Sequence, residues 1–285
     1  MNKCINTSGV RALKDLKIGK FILYSILIGY AVVTVTPFLW AFFASFKPLN
    51  EIVGGFSILP ENWTLDNYRY IISTQPLFIR WLFNSVVIAV VGTLLNILFN
   101  SMAGYALARL SFPGKKTLFV LVLAVLMIPG QVTMIPNYLI LKELGWLNSY
   151  QGMIVPAMVN ATFIFMMRQF FINFPREVEE AAAIDGLSRM GTFFRIVLPM
   201  AKPALAAQAI FVFMALWNDF MRPLIVMSET SMYTLPVGLN AFQSENVSFW
   251  NYVMSASMIF TLPVLLIYIF FSRFFLDGLS FRGDK

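Results

Sequence analysis

The chain has 285 residues, 59% of them hydrophobic and 12% charged, with a mean hydropathy of +0.74, whereas soluble globular domains carry about a quarter charged residues; a water-soluble globular protein is excluded. The net charge of +7 comes from lysines and arginines scattered at the edges of apolar runs, which is a topology signal rather than a phosphate-binding patch. Histidine is absent and Cys4 is the single cysteine, so neither a His/Cys metal site nor an internal disulfide is available.

Six apolar runs, at 21–46, 82–108, 117–141, 152–174, 204–227 and 253–276, are long enough to cross a hydrocarbon core, which takes roughly 20 helical residues. Basic residues precede the first run, but it is too long for a signal-peptide core and lacks a cleavage site, so it is expected to be a span. The connection from Lys47 to Trp81 is the longest on its side, broken by Gly54-Gly55 and Pro60, with Thr64 to Tyr68 reading as a capped helical turn. A solvated loop is the favoured reading of Leu49, Asn50, Glu51 and Asp66 taken singly; the resemblance set out below implies that they are candidate contacts for a soluble partner.

The second run carries Asn84, Asn96, Asn100 and Ser101 with Gly92 and Gly104. Amides and small residues of this kind join transmembrane helices, and packing is favoured over substrate contact. They also predict surfaces that lipid alone does not satisfy. The third run is interrupted at Pro129-Gly130, with Gln131, Thr133 and Asn137 around the break. Backbone groups freed at depth need protein or a water-filled cavity, so Gln131 and Asn137 are candidates for a translocation path, with a purely structural kink the equal alternative.

The fourth connection, 175–203, is charged and reads as two short helices. Pro175 suits a first helical turn, and Glu177, Glu179 and Glu180 suit the positive end of the helix dipole. Val178, Ala181, Ala182 and Asp185 share a face of mostly small side chains. Gly186 is the expected left-handed stop, and Ser188 the cap of the second helix. That helix carries an apolar stripe of Met190, Phe193, Phe194, Val197 and Leu198, limited by Pro199 and Pro203.

The fifth run holds Asn218 and Asp219, with Arg222 three residues on. An ionisable residue in a span is a functional candidate by default, so Asn218 and Asp219 join the candidates for the translocation path, where Asp219 would bond sugar hydroxyls, although an i, i+3 ion pair is its favoured, structural role. The last outer connection opens at Tyr233 to Gly238, Trp250 and Tyr252 are placed as interfacial aromatics, and Pro263 interrupts the sixth run. Sixteen basic residues fall before the first run, in the second connection, in the fourth connection or near the end of the run before it (Arg168), and near the end of the sixth run (Arg273) or after it, against five (Lys47, Arg69, Arg80, Lys142 and Arg222) on the other side. By the positive-inside rule both termini and the 175–203 loop are expected in the cytoplasm.

One spacing carries a resemblance. Glu180-Ala181-Ala182, three residues, Gly186, nine residues, Ile196, one residue and Leu198-Pro199 match the EAA loop of ABC importer permeases, and the likeness runs from about Lys20 to Leu279. Met127 to Gln131, Trp217 to Phe220 and Tyr233 to Gly238 are similar to the carbohydrate branch, the maltose-type second membrane subunit. The resemblance implies an all-α polytopic membrane protein of six transmembrane helices with a cytoplasmic EAA coupling loop, the MetI-like permease fold. It implies a short cytoplasmic segment at 1–20, a single permease domain at 21–279 and a cytoplasmic tail at 280–285. The expected coupling residues are Glu180, Ala181, Ala182, Gly186, Ile196, Leu198 and Pro199. The implied partners are a second permease subunit, an ABC ATPase dimer and an extracellular solute-binding protein, in a bacterial or archaeal plasma membrane. The implied cargo is a sugar, oligosaccharide or glycerol-phosphate-like polyol. The tail departs from the family's longer Gly/Lys ending, so no tail contact to the ATPase is carried over.

The sequence contains no G-x-x-x-x-G-K-[ST] phosphate loop, so ATP and magnesium are expected on the partner ATPase, with no cofactor on this chain. The alternative is an ion-coupled secondary transporter using Asp219. A membrane-embedded enzyme lacks the convergent acid, base or nucleophile set it requires.

Overall fold

The computed structural model describes residues 7–55, 57–245 and 249–280, with side chains at 19–55, 57–240 and 249–270. Lys3, Cys4 and the tail from 281 lie outside the described residues. The helices in chain order are α1 (Thr7–Ala44), α2 (Leu49–Val53), α3 (Asp66–Thr74), α4 (Pro76–Arg109), α5 (Lys115–Leu126), α6 (Met134–Glu143), α7 (Tyr150–Ile154) and α8 (Ala161–Ile172). They continue with α9 (Arg176–Ile184), α10 (Arg189–Thr192), α11 (Leu198–Met200), α12 (Lys202–Trp217), α13 (Met221–Val226), α14 (Leu235–Glu245) and α15 (Trp250–Ser280).

Among the described residues, Gly19–Ala44, Pro76–Arg109, Tyr150–Ile172 and Trp250–Phe270 are long and apolar enough to cross a membrane. A fifth such segment joins Arg189–Met200 to Lys202–Trp217 with a 78° bend. Three of the six expected runs are not continuous helices; the fourth leaves α-helical geometry between α7 and α8. In the third, Pro129 supplies no N–H and disfavours helical geometry at Ile128; α5 stops at Leu126 and α6 begins at Met134. The intervening turns satisfy themselves, with Val132, Thr133 and Met134 donating to the carbonyls of Pro129, Gly130 and Gln131. In the fifth, α12 ends at Trp217 and the chain breaks at 218–220 before α13.

The chain divides into two compact units. One comprises residues up to Arg69 with 246–258, and the other Tyr70–Glu245 with residues from Ile259 on. In the first unit, α1 is exposed from Gly19 through Leu39, with Thr34 and Thr36 returning their hydroxyls to the carbonyls of Tyr30 and Val32. Beyond α1 the connection folds on itself. Asn67 donates to the carbonyls of Ser45 and Lys47 and accepts from Asn251, while Ser255 donates to the Ser45 carbonyl. Lys47 is only 2% exposed, its Nζ 2.7 Å from both Ser57 O and Oγ. Glu51 accepts from the backbone of Glu61 and Asn62 and from the Asn62 side chain, so this candidate outer contact serves to close its own loop.

The second unit is built around α4, which packs along α8 and α12. A Cβ at Gly104 would lie 2.7 Å from Met167 Cβ and 2.8 Å from the Arg168 backbone nitrogen, so only glycine permits this approach of α4 to α8. The asparagines of α4 bond within the chain, the packing role favoured from the sequence, rather than marking surfaces that lipid alone does not satisfy. Asn84 donates to the carbonyls of Ser231 and Tyr233 and accepts from Tyr150. Asn96 and Asn100 donate to the carbonyls of Ala157 and Met158, where the helix breaks between α7 and α8. Asn100 also accepts from Asn160 N, and Asn160 caps α8 through Thr162 N. In α15 the Phe260 carbonyl, next to the site where Pro263 withdraws a donor, accepts the Trp217 indole N–H.

Candidate functional site

The 175–203 connection folds as the sequence dictates at its turns. Pro175 precedes α9, whose first turn holds Glu177 and Glu179. The helix ends with Leu187 N donating to Ala182 O and Gly186 N to Ala183 O, the paired reverse bonds of a left-handed C-terminal cap. Gly186 supplies that conformation at φ 80°. Ser188 then accepts from Gly191 N and starts α10. A π turn over Phe193–Val197 follows, then α11.

Burial divides the expected coupling residues between two faces. Ala182 is 2% exposed and Val178 half-buried. Val178, with Phe193, Val197 and Ala201, seats the loop on Tyr105, Phe171 and Phe174 at one end of the α4–α8 pair. Ile196 and Leu198 are half-buried; Pro199, Gly186, Glu180 and Ala181 are exposed. The small-residue face is therefore split, since Ala182 serves this chain's own packing while Ala181 looks outward. The apolar stripe of α10 is split as well, with Phe193 and Val197 buried and Met190 and Phe194 exposed. Ile184, which sequence reasoning passed over, is 86% exposed. It lies one turn beyond Glu180, so Glu180, Ala181 and Ile184 form an outward patch of one carboxylate, one small side chain and one free apolar side chain.

A second residue missed by the sequence reading is Glu179. It turns inward, with Oε1 3.1 Å from Arg109 Nε at the end of α4, the two side chains 20% and 6% exposed. Arg109 also donates through Nη2 to the Phe174 carbonyl, just past α8. Burial pushes the Glu179 carboxyl above the usual carboxylate range, against the opposite pull of Arg109 and Arg176. The pair borders a cleft of about 340 Å³ lined also by Tyr105, Arg176, Glu180 and Arg189. The register of α9 held the signal: Glu179 stands between Val178 and Ala182, on the flank of the face that packs inward.

The candidate path residues stand apart from this loop. Gln131, Asn137 and Asn218 are exposed, and Asn218 returns its side chain to the Met214 carbonyl. Asp219 accepts from Arg222 Nε at 2.9 Å and lies 2.8 Å from its Nη2, with Arg222 N donating to Oδ1 at the start of α13. The carboxylate is thus an ion-pair partner and helix cap. No hydrogen bond or ion pair among the described residues joins Gln131 or Asn137 to Asn218 or Asp219. Among the same residues, no cluster of three or more His, Cys, Asp or Glu side chains suits a metal ion.

Residues 100–280 match the family model for the binding-protein-dependent transport system inner membrane component. The arabinooligosaccharides transport system permease protein AraQ of Halalkalibacterium halodurans is 38% identical over 258 residues, covering 90% of this chain and 92% of that protein. The trehalose/maltose transport system permease protein MalG of Thermococcus litoralis is 33% identical over 256 residues, covering 88% of this chain and 91% of that protein. Among solved structures, a chain of a bacterial ABC transporter involved in import of the acidic polysaccharide alginate superposes with a TM-score of 0.81 at 21% identity, over 96% of this chain and 100% of that one. That likeness shows the fold.

Proposed function

The chain belongs to the binding-protein-dependent transport system inner membrane component family, and from that membership we propose that it is one permease subunit of an ATP-driven importer for a sugar or oligosaccharide. As a family member it is an integral inner-membrane permease subunit and not an enzyme. In the proposed complex a second permease completes the path, an ABC ATPase dimer with its ATP and magnesium docks on the cytoplasmic side, and a solute-binding protein delivers cargo outside. Both termini and the 175–203 loop face the cytoplasm. The relatives named for arabinooligosaccharide, diacetylchitobiose and trehalose/maltose transport support the sugar class; a glycerol-phosphate-like polyol is the outlying member of the range.

The observation that carries this reading is the α9 loop. It holds a rigid, doubly capped turn whose buried face is anchored on its own bundle and whose outward face shows Glu180, Ala181 and Ile184. Alternating access needs a partner's energy, since reversing a 99:1 conformational preference takes about 5.5 kcal/mol. The loop is the element built to receive it. The Asp219–Arg222 pair argues against the ion-coupled alternative, because its carboxylate is engaged structurally. The test is co-purification of the ATPase with Glu180→Ala and Ile184→Asp chains. Each is expected to insert normally and to lose most of the bound ATPase; full retention by both overturns the assignment of this face.

A further inference from the structure

We propose that Arg109 is a positioning residue that fastens the α9 loop to α4, so that a displacement imposed on the loop by its partner is delivered to the central helix of the second unit. The proposal rests on the reading of the loop given above and adds the route by which the loop acts on the spans.

Arg109 is the last residue of α4. Its guanidinium meets Glu179 of α9 through Nε and the Phe174 carbonyl beyond α8 through Nη2. One side chain therefore holds three segments together. The packing of α9 on the bundle through Val178 is apolar, and Ala182 is buried beside it. Apolar contact is non-directional and permits sliding, whereas a buried ion pair fixes register because neither charge tolerates separation from its partner. Lys115 reinforces the same junction by donating to the carbonyls of Ala108 and Leu110, closing the end of α4 beside Arg109.

From Arg109 the connection continues through rigid contacts. Gly104 places α4 against the backbone of α8. Asn96 and Asn100 bond the break before α8, and Asn96 accepts from Gln208 of α12. A pull on the end of α4 thus reaches both neighbouring spans. Arginine suits this position because one edge of its guanidinium lies at ion-pair distance from Glu179 while Nη2 donates to the Phe174 carbonyl, whereas a lysine ammonium is a point charge on a flexible stem.

The test uses the assembled transporter in proteoliposomes, reading ATPase recovery and the ratio of solute-stimulated to basal ATP hydrolysis. Glu179→Gln and Arg109→Ala are expected to retain the ATPase while the ratio falls about tenfold, within the range of site–site coupling. Arg109→Lys should fall between, and the Arg109→Ala/Glu179→Gln double variant should be no worse than the poorer single one. Should Arg109→Ala fail to insert, Glu179→Gln, which leaves the bond to Phe174 in place, and Arg109→Lys decide the matter. An unchanged ratio in Glu179→Gln overturns the proposal, as does loss of the ATPase from it, since the pair would then belong to the docking surface. Failure of the underlying loop reading shows separately, as full ATPase retention by Glu180→Ala and Ile184→Asp.

Discussion

Asn96 of α4 gives its side-chain amide to the Ala157 carbonyl at 2.7 Å, where the fourth apolar run leaves helical geometry between α7 and α8. Asn100, one turn on, serves the Met158 carbonyl at 3.0 Å and accepts from Asn160 N at 2.9 Å. A break in a membrane helix frees backbone groups that lipid cannot satisfy, and here a neighbouring helix satisfies them.

Replacement of Asn96 or Asn100 by leucine leaves those carbonyls without a partner. Each is expected to destabilise the chain by about 1–3 kcal/mol, the cost of a buried polar group losing its bond. Gln208 donates to Asn96 Oδ1 at 3.0 Å, so Asn96→Leu and Gln208→Leu should be non-additive. Thermal unfolding in detergent of the singles and the double checks this; strict additivity removes the coupling claimed for the pair.

Gly104→Ala is expected to cost about 1–3 kcal/mol by overpacking, because its Cβ would meet Met167 Cβ at 2.7 Å and the α8 backbone at 2.8 Å. Gly19→Ala, with nothing within 4 Å, is the control and should be neutral or slightly stabilising. The same unfolding measurement compares the two, and equal stabilities contradict the close approach of α4 and α8.

The sequence made local features legible wherever one residue type has a single conformational role. Gly186 and Ser188 mark the end of α9 and the start of α10, and Pro129-Gly130 marks the break between α5 and α6. The long apolar runs announced α1, α4 and α15, because hydrocarbon thickness demands continuous apolar helix. Two things were hidden. The depth at which α12 stops depends on Asn218 returning to the Met214 carbonyl, a choice that hydropathy does not register. The roles of Glu179 and Glu180 depend on which face of α9 meets the bundle, and the partner of the inward one, Arg109, stands 70 residues earlier in the chain.

Asp219→Asn separates a structural carboxylate from an ion-coupling one. Asparagine keeps an acceptor for Arg222 N but gives up the charge on a half-buried pair, so stability should fall by about 1 kcal/mol or less. Uptake should remain ATP-dependent and persist when proton and sodium gradients are collapsed. Uptake that follows either gradient in the parent and is abolished in Asp219→Asn restores the secondary-transporter reading.

Glu179 makes stability and coupling move in opposite directions with pH. Burial raises its pKa above the ordinary carboxylate value of about 4.3, while Arg109 from α4 and Arg176 from its own helix oppose the shift; the Tyr105 hydroxyl and Arg189 border the same cleft. A carboxyl whose folded pKa is raised binds its proton more tightly folded than unfolded. Its contribution to stability is therefore fully present below the unfolded pKa and is lost as pH rises through the folded one. Acidification through that window should stabilise the chain slightly while discharging Glu179 and releasing Arg109. On acidification the solute-stimulated component of ATP hydrolysis should therefore decline at a higher pH than the titration of an unperturbed glutamate would set. Glu179→Gln should show the low coupling at every pH and should lack that titration. Parallel pH series of unfolding temperature and stimulation ratio, for parent and variant, check both signs. A parental coupling profile that coincides in shape with that of Glu179→Gln shows that the charge on Glu179 does not set the coupling.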